Sequence, residues 1–140
     1  MNLTPRLPLS VLVVEDQHDC AQSTAELLTM CGHAVRVATC GPDALRDAAV
    51  EIPDVVLLDI QLPGPSGWEV ASRLRERAGG RQPLVVAVTG CGSEEDRWRS
   101  ADAGIDLHLV KPVAPADLIR LLDWVGGHLA ARTVPTTACG

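Results

Sequence analysis

Five short apolar runs, at residues 11–14, 33–38, 55–58, 84–88 and 106–110, alternate with longer amphipathic stretches along these 140 residues. That alternation leaves few architectures open. Continuous runs such as Val55-Val56-Leu57-Leu58 suit parallel strands covered on both faces. The run at 33–38 places Arg36 among Ala34, Val35 and Val37, which predicts an edge strand. Between the runs, apolar residues recur at helical spacing. Helices are expected over 17–31, 41–50, 66–78, 93–104 and 115–125. Gly32 is a natural residue to end the first. Pro42 sits where a first helical turn tolerates proline. Ser93-Glu94-Glu95-Asp96 reads as an N-cap with acids favoured by the helix dipole. Gly126-Gly127 should weaken the end of the last helix, at about 1 kcal/mol per glycine relative to alanine. Strand–helix alternation repeated five times predicts an α/β fold, a doubly wound parallel sheet with right-handed crossovers.

The bulk properties narrow the function. The length suits one domain, expected over residues 9–130, with 1–8 and 131–140 as flexible termini. A formal net charge of -6 argues against a nucleic-acid surface, which is ordinarily basic. The five cysteines, Cys20, Cys31, Cys40, Cys91 and Cys139, are odd in number and contain no C-x-x-C pair. That spacing supports neither a disulfide framework nor a zinc site. Free thiols in a reducing cytoplasm are the simpler expectation. The first ten residues lack the apolar core of a signal peptide, and no run is long enough to span a bilayer.

Chemistry concentrates at the ends of the predicted strands. Glu15-Asp16 follow the first run, Asp59 the third, Thr89 the fourth and Lys111-Pro112 the fifth. Open α/β sheets place their ligands at the carboxyl ends of strands. Three carboxylates, a hydroxyl and an ammonium at that level suggest a divalent metal beside a phosphorylatable aspartate. A carboxylate can act as a nucleophile and form an acyl phosphate. The incoming group is anionic too, so a Mg²⁺ or Mn²⁺ ion is expected to offset the repulsion. Glu15, Asp16, Asp59 and the backbone carbonyl of Gln61 are the expected metal ligands, hard oxygens of the kind magnesium prefers. Lys111 is expected to pair with phosphoryl oxygens, and Thr89 to donate its hydroxyl to another. Each piece alone has a plainer reading: acids at a helix N-terminus, an aspartate ending a strand, a surface Lys-Pro. Their coincidence carries the argument.

In Val13-Val14-Glu15-Asp16, Leu57-Leu58-Asp59-Ile60-Gln61-Leu62-Pro63-Gly64, Thr89-Gly90 and Lys111-Pro112, the chain resembles the receiver domains of two-component response regulators. The resemblance runs from about Leu9 to Leu129. It implies a flavodoxin-like five-stranded sheet of order 2-1-3-4-5 with five helices. It implies a histidine kinase or phosphotransfer protein as phosphodonor and Asp59 as phosphoacceptor. It also implies switching, with self-association through the face of the fourth helix, fifth strand and fifth helix as one output. Such a receiver catalyses only its own phosphorylation and dephosphorylation.

Two departures stand out. Receivers usually carry Tyr or Phe three residues before the lysine; this chain has neither residue, and His108 stands there. Pro65 follows Gly64 where a more flexible residue is common. The segment from His108 to Val113 is similar to receivers of hybrid histidine kinases. Two other uses of the fold fit less well. A haloacid-dehalogenase-like phosphatase wants a second acid two residues after its nucleophile, where Gln61 stands. A flavin or nucleotide site wants a phosphate-cradling loop after the first strand, where Glu15-Asp16-Gln17-His18-Asp19 would repel it.

Overall fold

The computed structural model of the chain describes residues 8–78, 82–90, 98 and 101–133. The strands are β1 (Ser10–Val14), β2 (Ala34–Ala38), β3 (Val55–Asp59), β4 (Leu84–Thr89) and β5 (Leu107–Val110). They form one parallel sheet of order β2-β1-β3-β4-β5. The described helices are α1 (His18–Met30), α2 (Gly41–Val50), α3 (Gly67–Ala78) and α4 (Pro115–Thr133). The helix expected over 93–104 falls largely outside the described residues; Trp98, Ala101 and Asp102 have helical backbone.

Successive strand residues point to opposite faces, so each continuous apolar run feeds two cores. Leu12, Val14, Val56, Leu58, Val85 and Ala87 pack with Ala44, Leu45, Val70 and Leu74 of α2 and α3. Val11, Val13, Val55, Leu57 and Val86 pack with Leu28 of α1 and Leu118, Leu122 and Val125 of α4. The mixed β2 is an edge strand, as its pattern predicts. Its Arg36 crosses to α2, 2.8 Å from Asp47 and 2.8 Å from the Glu51 carbonyl. β5 forms the other edge and is only half-buried.

Two connections are fixed by one residue whose role the sequence pattern does not display. Arg75 of α3 donates to the carbonyls of Gly104 at 2.8 Å and Pro83 at 2.7 Å, and pairs with Asp106. It ties α3 to the loops entering β4 and β5. The last helix differs from expectation. It continues through Gly126-Gly127 to Thr133. Packing of Leu118, Leu122 and Val125 on the sheet outweighs the glycine penalty, and Gly126 is itself buried. The expected boundary at 130 therefore falls inside a helix, and 134–140 lie outside the described residues. No helix among the described residues is long and apolar enough to cross a membrane.

Candidate functional site

Parallel register brings four strand ends to one level. Val14 lies beside Leu58, Asp59 beside Val88, and Thr89 beside Val110. The chain then leaves each strand in a fixed direction. Glu15 N–H donates to the Ala38 carbonyl at 3.0 Å, and Lys111 N–H donates to the Thr89 carbonyl at 2.8 Å. Glu15, Asp59 and Thr89 are buried. One carboxylate oxygen from each of Glu15, Asp16 and Asp59 lies within 4.8 Å of the others. Lys111 Nζ donates to Glu15 Oε1 at 3.2 Å and reaches Asp59 Oδ2 at 3.5 Å. The other oxygen of Asp59, Oδ1, accepts the Gln61 N–H at 3.0 Å.

The charge balance is unequal. Three carboxylates face one ammonium, a formal excess of two negative charges. Burial first, and the hydrogen bond and repulsion from Asp59 next, push the Glu15 carboxyl up from 4.5 to about 7, against the pull of Lys111. Burial depresses the Lys111 ammonium, but the Glu15 hydrogen bond and the two negative charges outweigh it and leave it raised. Glu15 Oε2 is buried without a hydrogen-bond partner among the described residues, a costly state for a carboxylate oxygen. A divalent cation fits this set: it matches the residual charge, the donors are hard oxygens, and one donor atom lacks a partner. Beneath the carboxylates lies a cavity of about 60 Å³, lined in part by Thr24, Leu109, Val113 and Leu118.

The loop after Asp59 is shaped by glycines. Gly64 has φ +76°, a conformation that other residues rarely adopt. A Cβ on Gly67 would stand 2.6 Å from Ile60 Cα and 2.8 Å from the Asp59 carbonyl oxygen. Only glycine lets α3 start this close to the end of β3. Ser66 Oγ accepts the Glu69 N–H at 3.4 Å and caps that start.

The structure thus brings together Glu15, Asp16, Asp59 and Lys111, with Thr89 ending the adjacent strand. The contact seen for Gln61 is its N–H on Asp59. His108 sits within β5 beside Ala87, half-buried. Trp68 packs on the core, and Trp98 is exposed. Cys91 and Cys139 lie outside the described residues; Cys20, Cys31 and Cys40 are free thiols. Sequence reasoning missed Gly67 and Arg75. Gly67 had a local signal, its place between Ser66 and an amphipathic run, but its necessity is tertiary. Arg75 had none.

A family model described as response regulator receiver domain matches residues 11–123. Sensory transduction protein RegX3 of Mycobacterium bovis is 39% identical over 110 residues, 79% of this chain and 47% of that protein. Response regulator MprA of Mycolicibacterium vanbaalenii is 34% identical over 134 residues, 96% of this chain and 55% of that protein. The chain spans about half the length of these curated relatives. Among solved structures, chemotaxis protein CheY4 of Vibrio cholerae superposes with a TM-score of 0.80 at 27% identity, covering 84% of this chain and 98% of that one. The receiver domain of sensor histidine kinase PA1611 of Pseudomonas aeruginosa, which has a magnesium ion coordinated in its active site cleft, gives 0.76 at 29% identity, covering 85% and 98%.

Proposed function

The chain belongs to the response regulator receiver family, and from that premise we propose that Asp59 is its phosphoacceptor. The chain is a phosphorelay receiver. The observation that carries it is the buried Asp59 carboxylate, grouped with Glu15 and Asp16 and 3.5 Å from Lys111.

The donor is a phosphohistidine of a histidine kinase or phosphotransfer protein. An Asp59 carboxylate oxygen attacks phosphorus, an O–P bond forms, and the donor's P–N bond breaks. The departing imidazole takes a proton from solvent and ends neutral. Lys111 exchanges Glu15 for a phosphoryl oxygen, and the Thr89 hydroxyl donates to another. Glu15, Asp16, Asp59 and the Gln61 carbonyl would hold Mg²⁺ or Mn²⁺. That ion, when bound, supplies the charge neutralisation a dianionic group needs beside these acids. Two residues after Asp59 stands Gln61 rather than a second acid, which favours a receiver that catalyses only its own phosphorylation and dephosphorylation over a phosphatase.

The phosphoryl group adds about -1.5 to -2 charges at one point. It shifts a pre-existing equilibrium between two arrangements. Self-association through a face that includes β5 and α4 is a fitting output. Val110 on β5 and Trp124 on α4 are both exposed. The working unit runs from residue 9 through α4 rather than stopping at 130, and its place is the cytoplasm, where the kinase's phosphohistidine is made. Acetyl phosphate with Mg²⁺ should add one phosphoryl group by intact mass, and Asp59→Asn should abolish it. Equal labelling of the variant would remove Asp59 from the role.

A further inference from the structure

A surface cleft runs between α2 and α3, and no residue of the carboxylate site lines it. One half, about 170 Å³, is apolar, with Ala48, Ala49 and Leu74 in its walls. The other half, about 310 Å³, is lined by Arg46 and Arg73. Leu45 and Arg77 belong to both halves. Three arginines therefore line the cleft, and no acidic side chain among the described residues lines it. This occurs on a chain of net charge -6, so the cleft's sign does not follow from a generally basic surface.

The arginines are available. Arg46 pairs with Asp43 and Arg73 with Glu69, each on its own helix and solvent-exposed. Exposed pairs of this kind contribute little, so an incoming carboxylate displaces them at small cost. Arg77 is exposed and has no carboxylate partner among the described residues. An inorganic anion would satisfy the basic half and leave the apolar half wet. An uncharged aliphatic ligand would do the reverse. The occupant must bring both properties in one elongated body. Ten residues of α2 span about 15 Å, the length of a few turns of helix.

We infer that the α2–α3 cleft docks an acidic amphipathic segment of a partner protein. Its carboxylates face Arg46, Arg73 and Arg77, and its aliphatic side chains enter between Ala49 and Leu74. Groove binding of an amphipathic helix by anchors at i and i+4 is an established mode of recognition. Arginine suits the polar half, since its planar fork holds a carboxylate bidentately.

The test uses the whole chain and a fluorescein-labelled synthetic helix of about 14 residues, with leucines at i, i+4 and i+7 and glutamates elsewhere. Two counterparts replace its glutamates by lysine or its leucines by serine. Anisotropy is read at about 0.15 M salt, where long-range attraction is screened, and binding is mapped by amide shifts. The acidic helix should saturate, with shifts confined to residues 42–52 and 65–77. Both counterparts should bind at least about tenfold more weakly. Arg77→Glu and Ala49→Glu, at exposed positions, should each cost a similar factor with the urea midpoint unchanged. Asp59→Asn should bind as the parent does, which separates this cleft from the phosphoryl chemistry. The inference fails if the acidic helix does not saturate by about 1 mM, if the lysine counterpart binds equally, or if the shifts map elsewhere. It also fails if sedimentation shows a second copy of the chain filling the cleft.

Discussion

Replacing Glu15 with glutamine should stabilise the metal-free protein, and more at pH 8 than at pH 5. Glu15 is 10% exposed at its side chain and shares its site with Asp59 and a single ammonium. Its carboxyl is raised from 4.5 to about 7, chiefly by burial. For an acid raised in the folded state, stability is fully present below the unfolded value and is lost as pH rises through the folded one. Single-site linkage with these two values makes placing Glu15 in this site cost roughly 1 kcal/mol at pH 5 and roughly 3 kcal/mol at pH 8, relative to a side chain that does not titrate. Glutamine removes the titration. Any packing offset it introduces is the same at both pH values and cancels in the difference. Urea unfolding in EDTA should therefore show the variant-minus-parent gap widening by about 2 kcal/mol between pH 5 and pH 8. Adding Mg²⁺ at pH 8 should raise the parent's midpoint and narrow the gap, because an ion that binds only the folded state stabilises it. A gap that is equal at the two pH values would refute the reasoning, since it would mean that Glu15 ionises at its ordinary pKa.

Two further tests address the frame around the site. Gly67→Ala forces a Cβ to within 2.6 Å of Ile60 Cα. It should cost about 1–3 kcal/mol by overpacking and slow labelling by acetyl phosphate, because the backbone carrying Asp59 must shift; a urea midpoint and labelling rate equal to the parent's would sink that account. His33 is buried and its Nδ1 accepts the Leu9 N–H at 3.1 Å. Burial lowers its pKa below 6.5, with Asp123 opposing. The neutral ring's contribution is thus present above pH 6.5 and lost as pH falls through the depressed value. His33→Gln should lose stability against the parent at pH 7.5 and progressively less at pH 5.5; a constant difference would show that the ring does not titrate as argued.

The fold was legible because its two signals are local. A continuous apolar run feeds both cores at once, as Val55 and Val56 do in opposite directions, and Gly32, with φ +97°, stops α1 where its position predicts. The site was legible for a related reason: a parallel sheet turns strand order into proximity, so carboxylates 44 residues apart in sequence meet once each ends a strand. What sequence could not supply are quantities that belong to pairs. Nothing in Glu15 by itself says that it will lie within hydrogen-bond reach of Lys111 and hold its proton to about pH 7. Nothing in Gly67 says that a methyl group there would strike the backbone of Ile60. The continuation of α4 past Gly126-Gly127 is the same lesson in energy: the propensity cost is local, while the compensating burial of Leu122 and Val125 depends on a sheet assembled from distant segments. Receiver chemistry needs both kinds of information. The strand-end acids define what is able to react. The crowding of those acids around one ammonium leaves the site with an excess of negative charge, the deficit that the proposed cation would meet before a phosphoryl group arrives.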